Sequence, residues 1–405
     1  MNAPGDCFLP YARHEVDEDD IAAVAAVLRG DWLTTGPTVE AFETALAAKA
    51  DAAFAVVCAS GTAGLHLATM ALGLGPGDRA IVPSITFLAT ANAVRYVGAE
   101  VVFADVDPDT GLMTPATLEA ALGRAGQAAR AVLPVHLGGR AVDLPGMAAI
   151  AATTGADIVE DAAHAIGTTY RRDNDSAAPI GDCRYSRMAV FSFHPVKTIA
   201  MGEGGAITTN DAGLRERLTR FRSHGMLRPP AEFRNRDLAY DADGEANPWY
   251  YEMPEPGYHY RTTDIHCALG LSQLGKLDRF IARRRQLIER YRQLLTPLAP
   301  LVRMPTTPTD AGAAWHLCAV QIDFAAAGTT RARVMRDLRA RGIGTQVHYI
   351  PVHRQPYYEE RYGKLSLPGA DSYYSRCLSL PLFPAMADAD VDRVVAALAH
   401  VLGRP

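Results

Sequence analysis

The feature that most constrains the fold is an alternation of short apolar segments with amphipathic helical segments in the first half of the chain. Apolar runs predict strands at Phe54–Cys58, Ala80–Val82, Val101–Ala104, Ala131–His136, Ile158–Asp161, Ala189–Phe193 and Ala206–Thr209. Short continuous apolar strands that alternate with helices are typical of a mainly parallel sheet covered on both faces. We therefore predict a large α/β domain.

The character of the chain changes near residue 224. The stretch 224–262 is rich in Pro, Tyr, Asp and Gly, which predicts an irregular excursion. A helix over Asp278–Leu295 then leads into a smaller α+β region, where the pattern predicts strands at Leu317–Ile322 and Thr345–Ile350 and helices at Arg331–Arg341 and near Ala387–Leu402. We expect an N-terminal arm and large domain over 1–262, including the excursion, and a smaller C-terminal α+β domain over 263–405.

Composition excludes several classes of protein. The formal net charge of -5 gives no argument for nucleic-acid binding. The N-terminus lacks the pattern of a signal peptide, and the apolar runs are too short to span a membrane. Six scattered cysteines without a CxxC pair indicate reduced thiols rather than a metal site. We expect a cytoplasmic protein without a metal site.

Three predicted strands end in groups that suit a ligand, and ligands of open parallel sheets bind at that edge. Ser60-Gly61-Thr62 opens a helix after the first strand, which favours an anion site or simple helix capping. Asp161 ends another strand, where it would either cap a helix or face a cation such as a protonated pyridine nitrogen. Phe87 would stack on a flat cofactor or pack in the core.

The strongest signal is Lys197, in the loop FSFHPVKTIAMGEGG that follows a predicted strand. The chain has only three other lysines, and their charged or helical surroundings indicate solvated surface: Lys49, Lys276 and Lys364. A lysine in an apolar setting is easily deprotonated and forms imines. An anion cradle, a carboxylate, an aromatic ring and this amine are together what pyridoxal phosphate requires, so we predict that Lys197 carries this cofactor as a Schiff base.

The sequence resembles the DegT/DnrJ/StrS sugar aminotransferases over nearly its whole length. The matching segments are DWLTTGP (31–37), ASGTAGLHLA (59–68), VEDAAHAIGT (159–168), FSFHPVKTIAMGEGGAITT (191–209) and GYHYRTTDIHCALGLSQL (257–274). The resemblance implies the aspartate-aminotransferase-like fold (fold type I) of pyridoxal phosphate enzymes. It also implies glutamate as amino donor, a nucleotide-linked 4-keto sugar as acceptor, and a homodimer with shared active sites.

The resemblance also implies roles for individual residues. Lys197 would bind the cofactor and transfer protons, Asp161 would face the ring nitrogen, and His164 would lie near the ring oxygen O3′. Further cofactor-binding residues would be Gly61, Thr62, Phe87, Ser192 and His259, the last reaching the partner subunit's cofactor phosphate from a position where many relatives have asparagine. The substrate-binding residues would be Thr35, His194, Arg261 and His348.

Within the family, the segments RFRSHGM (220–226), WYYEMPEPGYHYR (249–261) and QVHYIPVHRQPYY (346–358) are most similar to enzymes that aminate a UDP-linked 4-keto-6-deoxy-N-acetylhexosamine for pseudaminic acid biosynthesis. Enzymes for UDP-4-keto-pentose (L-Ara4N) are an alternative. Enzymes for GDP-4-keto-6-deoxymannose (perosamine) rank lower, since they more often have an acidic residue in place of His164.

Two further alternatives concern the type of activity. Relatives that dehydrate the sugar have histidine in place of Lys197, so this lysine favours transamination. A non-catalytic sugar-sensing regulator that retains the fold is an alternative of another class. The presence of Lys197, Asp161 and the anion cradle together argues against it.

Overall fold

A computed structural model describes residues 8–126 and 129–404. Its strands are β1 (Phe54–Cys58), β2 (Arg79–Pro83), β3 (Glu100–Ala104), β4 (Ala129–Val132), β5 (Asp157–Asp161), β6 (Thr169–Arg171), β7 (Ala177–Pro179), β8 (Met188–Ser192), β9 (Gly205–Thr209), β10 (Val302–Arg303), β11 (Cys318–Ile322) and β12 (Cys377–Leu380). Its helices are α1 (Glu18–Arg29), α2 (Pro37–Ala50), α3 (Gly61–Ala71), α4 (Leu88–Tyr96), α5 (Pro115–Ala125), α6 (Leu144–Ala152), α7 (Ala212–Arg222), α8 (Arg236–Ala239), α9 (Asp264–Gly275), α10 (Leu277–Leu295), α11 (Arg331–Ala340), α12 (Pro356–Tyr362), α13 (Pro368–Arg376) and α14 (Asp388–Val401).

The predicted alternation forms one seven-stranded sheet with the order β1-β9-β8-β5-β4-β2-β3. All neighbouring pairs are parallel except the two that β9 makes with β1 and β8. Strand β9 is antiparallel because the chain turns back onto β8 directly after the loop that contains Lys197. The prediction of a large, mainly parallel sheet is confirmed.

Helix starts follow from local capping. Helix α1 begins after Asp17, whose carboxylate accepts hydrogen bonds from the backbone N–H groups of Asp19 and Asp20. Helix α3 begins after Ser60, whose hydroxyl accepts from the N–H of Ala63. The first N–H groups of a helix have no partner within it, and Gly61, the first residue of α3, lies against Ser192 at the end of β8, where the sequence predicts the anion site.

A second, antiparallel sheet of order β10-β11-β12 lies in the C-terminal part. The predicted strand at Thr345–Ile350 is wrong: in this segment only Gln346 makes a bridge, to Ser379. The third strand is instead β12, a buried apolar run that pairs along its length with β11. The predicted strand at Ala131–His136 is also too long, since β4 ends at Val132, two residues before Pro134, which has no N–H to donate.

Two apolar clusters form the core. The larger one surrounds the seven-stranded sheet, and the smaller one lies between α10, α14 and the second sheet. Helix α9 packs against α1 and α2, and its Gln273 donates a hydrogen bond to the buried carboxylate of Asp20. The domain boundary at residue 262 stays a prediction.

None of the helices in the described chain is long and apolar enough to cross a membrane. The cysteines that the structure describes are free and buried: Cys58, Cys183, Cys267, Cys318 and Cys377. Cys7 lies outside the described residues.

Candidate active site

Lys197 lies half-buried in the loop between β8 and β9. The loop is held at both ends, since Phe193 donates to the carbonyl of Gly204 and Met201 donates to the carbonyl of Phe193. The backbone N–H of Lys197 also donates to the carbonyl of His194, at 2.8 Å. Burial lowers the pKa of Lys197 to about 8, and the negative charge of Asp161 acts in the opposite direction. The uncharged fraction of this amine near neutral pH is therefore larger than that of an ordinary lysine.

Asp161 is the last residue of β5 and is 5% exposed. Its Oδ2 accepts a hydrogen bond from the hydroxyl of Thr90 at 2.6 Å, and its Oδ1 accepts from the N–H of Ala163 at 3.1 Å. Burial raises the pKa of Asp161, while these two donors and then the charge of Lys197 lower it. Both hydrogen-bond donors are neutral, so a cationic ligand placed against this carboxylate would gain a Coulomb attraction that they do not supply.

The first turn of α3 meets the end of β8. A Cβ added to Gly61 would lie 2.8 Å from Cβ of Ser192, so only glycine allows this close approach. Thr62 and Ser192 are both half-buried beside this turn. The N–H groups of a helix N-terminus and two hydroxyls thus surround one space, which is an arrangement that binds phosphate.

Two neutral histidines lie within electrostatic reach of Lys197. His164 is 6% exposed, and burial followed by the charge of Lys197 lowers its pKa well below the usual value. His348 is buried as well; its Nδ1 lies 2.8 Å from the hydroxyl of Ser379, and the same two causes lower its pKa to about 3. The structure therefore gathers Asp161, His164 and His348 within electrostatic reach of one amine.

Comparison with known proteins shows the family to which the chain belongs. The DegT/DnrJ/EryC1/StrS aminotransferase family model matches residues 14–399. The chain is 40% identical over 398 residues to the spore coat polysaccharide biosynthesis protein SpsC of Bacillus subtilis (strain 168), with 98% of this chain and 97% of SpsC covered. The chain belongs to the DegT/DnrJ/EryC1/StrS aminotransferase family.

Solved structures of aminotransferases agree with this assignment. PseC of Helicobacter pylori, an aminotransferase involved in the biosynthesis of pseudoaminic acid, is 26% identical with a TM-score of 0.85 over 98% of this chain and 99% of PseC. DesV of S. venezuelae is 32% identical with a TM-score of 0.82 over 98% of this chain and all of DesV (100%). The predicted family, the fold type I architecture and the class of a pyridoxal phosphate-dependent sugar aminotransferase are confirmed.

The site of this DegT-family chain fits its cofactor. The buried carboxylate of Asp161 suits a protonated ring nitrogen. The N-terminus of α3 at Gly61, which lies against the side chain of Ser192, suits a phosphate group. The amine of Lys197, with its depressed pKa, suits covalent attachment.

The other predicted site residues lie on an exposed rim or at its border. Phe87, the N-cap residue of α4, is 56% exposed, and His194 and Thr35 are exposed as well. Arg261 is half-buried, and His259 is exposed with its ring 5.3 Å from that of His224. Two of them border the cluster around Lys197: the ring of Phe87 lies 6.0 Å from that of Tyr349, and the carbonyl of His194 accepts from the N–H of Lys197. Among the described residues, Thr35, Arg261 and His259 show no hydrogen bond to this cluster.

Several residues of the site were missed from the sequence. Thr90 could have been noticed, because it lies one helical turn after Phe87 and so faces the same edge of the sheet. His316, whose ring lies 4.5 Å from that of His164, comes from the C-terminal part of the chain. No local pattern marks His316, since its position depends on how the two parts of the chain pack.

Proposed function

We propose that this enzyme transfers the amino group of glutamate to C4 of a UDP-linked 4-keto-6-deoxy-N-acetylhexosamine, as in pseudaminic acid biosynthesis. The observation that carries the transfer is the amine of Lys197, with a pKa of about 8, in electrostatic reach of the buried Asp161. The choice of sugar is supported by the similarity over nearly the full chain to PseC. The similarity to SpsC supports a role in the synthesis of a surface polysaccharide.

Five residues would hold the cofactor. The N–H groups of Gly61 and Thr62 and the hydroxyl of Ser192 would bind its phosphate, and Phe87 would cover one face of its ring. Asp161 would keep the ring nitrogen protonated. When bound, pyridoxal phosphate supplies an electron sink that makes the Cα proton of an amino acid acidic.

Lys197 would be the group that moves protons. Its uncharged Nζ would take the proton from Cα of glutamate and, in the second half of the reaction, its protonated Nζ would deliver a proton to C4 of the sugar. Burial favours the neutral amine, and this is the form that accepts a proton. The neutral states of His164 and His348 fit this role, because a cation beside Lys197 would lower its basicity further.

The exposed rim supports a homodimer with shared active sites. Trp32 and Leu33, which precede Thr35, are 58% and 49% exposed, and Phe87 beside the site is 56% exposed. Large apolar side chains that are exposed in one protomer favour coverage by a second protomer. In such a dimer His259 would donate to the partner subunit's cofactor phosphate. The residues that would contact the substrate are Thr35, His194, Arg261 and His348. The free thiols favour a cytoplasmic location.

The direct test is to incubate the purified holoenzyme with glutamate and a panel of 4-keto nucleotide sugars, and to identify the product by mass spectrometry and NMR. The panel contains the UDP-N-acetylhexosamine, the UDP-pentose and the GDP-mannose derivative. We expect a 4-amino product from the first, no product from Lys197→Ala, and an unchanged product from Lys364→Ala, whose lysine is exposed. Preference for another sugar would reassign the substrate, whereas turnover by Lys197→Ala would refute the proposed site.

A further inference from the structure

The proton on His164 has a defined position. The backbone N–H of Gly138 donates to Nδ1 of His164 at 3.2 Å. A backbone amide is always a donor, so Nδ1 is an acceptor and carries no proton. His164 is buried and neutral, and its single ring proton must therefore lie on Nε2.

This tautomer fixes the direction of the next hydrogen bond. Nε2 of His164 lies 3.1 Å from the hydroxyl oxygen of Tyr349. Because Nε2 carries the proton, His164 donates and Tyr349 accepts. In the part of the chain that the structure describes, this contact is the one hydrogen bond of the Tyr349 side chain. The proton of the Tyr349 hydroxyl consequently points away from His164.

Tyr349 lies where a bound ligand would receive this proton. Its ring is 6.0 Å from that of Phe87 and 6.1 Å from that of His164, with which it is stacked. Burial, and then the negative charge of Asp161, raises the pKa of Tyr349 above its usual value, so the hydroxyl stays protonated. The side chain is thus a neutral donor among three residues of the proposed cofactor site.

We propose that Tyr349 donates its hydroxyl proton to an oxygen of the ligand bound beside Lys197, and that His164 directs this proton. The proposal rests on the proposed function, because it requires a ligand in this site. The acceptor is either the ring oxygen of the cofactor or the carbonyl oxygen of the sugar. A phenol donates a strong hydrogen bond to an oxygen that carries negative charge. Both the ring oxygen of the cofactor and the carbonyl oxygen of the sugar carry negative charge at some stage of the reaction.

The first experiment compares Tyr349→Phe with the wild type in the holoenzyme without substrate. If the cofactor oxygen is the acceptor, loss of the donor should raise the midpoint of the pH titration of cofactor absorbance by about one pH unit. If the sugar oxygen is the acceptor, the titration stays unchanged and kcat/KM for the sugar falls roughly tenfold to a hundredfold. The matched control is Tyr185→Phe, because that hydroxyl bonds Asp173 at the surface.

The second experiment tests the tautomer directly and needs no activity. In protein with ¹⁵N-labelled histidine, the His164 signals, assigned with His164→Gln, should show a protonated Nε2 and an unprotonated Nδ1. His164→Gln serves only to assign these signals.

A protonated Nδ1 would overturn the proposal. So would a folded Tyr349→Phe protein with an unchanged titration and unchanged kcat/KM. Failure of the proposed function is a separate result, because it would show as the absence of an amino sugar from the whole panel with the wild type.

Discussion

Replacement of Thr90 by valine should weaken cofactor binding through Asp161. The hydroxyl of Thr90 donates to Oδ2 of Asp161 at 2.6 Å and lies 2.7 Å from the hydroxyl of Thr86. An ionised carboxylate only accepts, so Thr90 donates to Asp161 and Thr86 donates to Thr90. Valine has nearly the shape of threonine and creates no cavity, so the substitution removes the donor to Asp161 and, with it, the acceptor of the Thr86 hydroxyl.

The size of the effect follows from the bond that is lost. A buried hydrogen bond to a charged group contributes about 1.5–3 kcal/mol. Since about 1.4 kcal/mol corresponds to a factor of ten in an equilibrium constant, the Kd for pyridoxal phosphate should rise by roughly tenfold to a hundredfold. Loss of the donor also raises the pKa of Asp161 further, so the carboxylate becomes protonated at a higher pH. As the pH is lowered, Thr90→Val should therefore lose cofactor binding before the wild type does.

The assay is a titration of apoprotein with pyridoxal phosphate, followed by absorbance at several pH values. Thr90→Ser is the control, because it keeps the hydroxyl and should retain an affinity close to that of the wild type. Equal Kd values for the valine, serine and wild-type proteins, with the fold intact by circular dichroism, would refute the assignment of Asp161 as the partner of the ring nitrogen.

Three further predictions concern the same site. Gly61→Ala should reduce the affinity for pyridoxal phosphate at least tenfold, because its Cβ would lie 2.8 Å from Cβ of Ser192, whereas Gly123→Ala in α5 has free space and should leave the titrated Kd unchanged. The rate of covalent cofactor loading onto apoprotein, measured by stopped-flow absorbance, should rise as the pH increases through about 8, since only uncharged Lys197 reacts; a rate without pH dependence in this range would contradict the role of burial. Mixing the inactive variants Lys197→Ala and His259→Ala after subunit exchange should restore part of the activity, because each mixed dimer has one intact shared site, and no recovery would argue against a contribution of His259 to the partner's site.

The sequence alone determined which polar and reactive residues follow the strands at the carboxyl edge of the large sheet. Strands β1, β5 and β8 were placed to within one or two residues, because each is a short apolar run with a clear end. Parallel strands share the direction of their carboxyl ends, so the residues that follow them must meet. Gly61, Asp161 and the loop of Lys197 could therefore be assigned to one place without coordinates.

Other parts of the site follow only from the tertiary structure. Strand β12 replaced the predicted strand at Thr345–Ile350, since the choice between two short segments depends on which one packs against β11. The bond between His164 and Tyr349 joins residues 185 positions apart. Short-range sequence patterns reflect interactions between residues that are close in the chain. The direction of the Tyr349 proton depends instead on the backbone amide of Gly138 and on the ring of His164, which lie far from Tyr349 in the sequence. The sequence thus determined which reactive groups meet at the edge of the sheet, and the packing of the C-terminal part decided which donors and acceptors surround them.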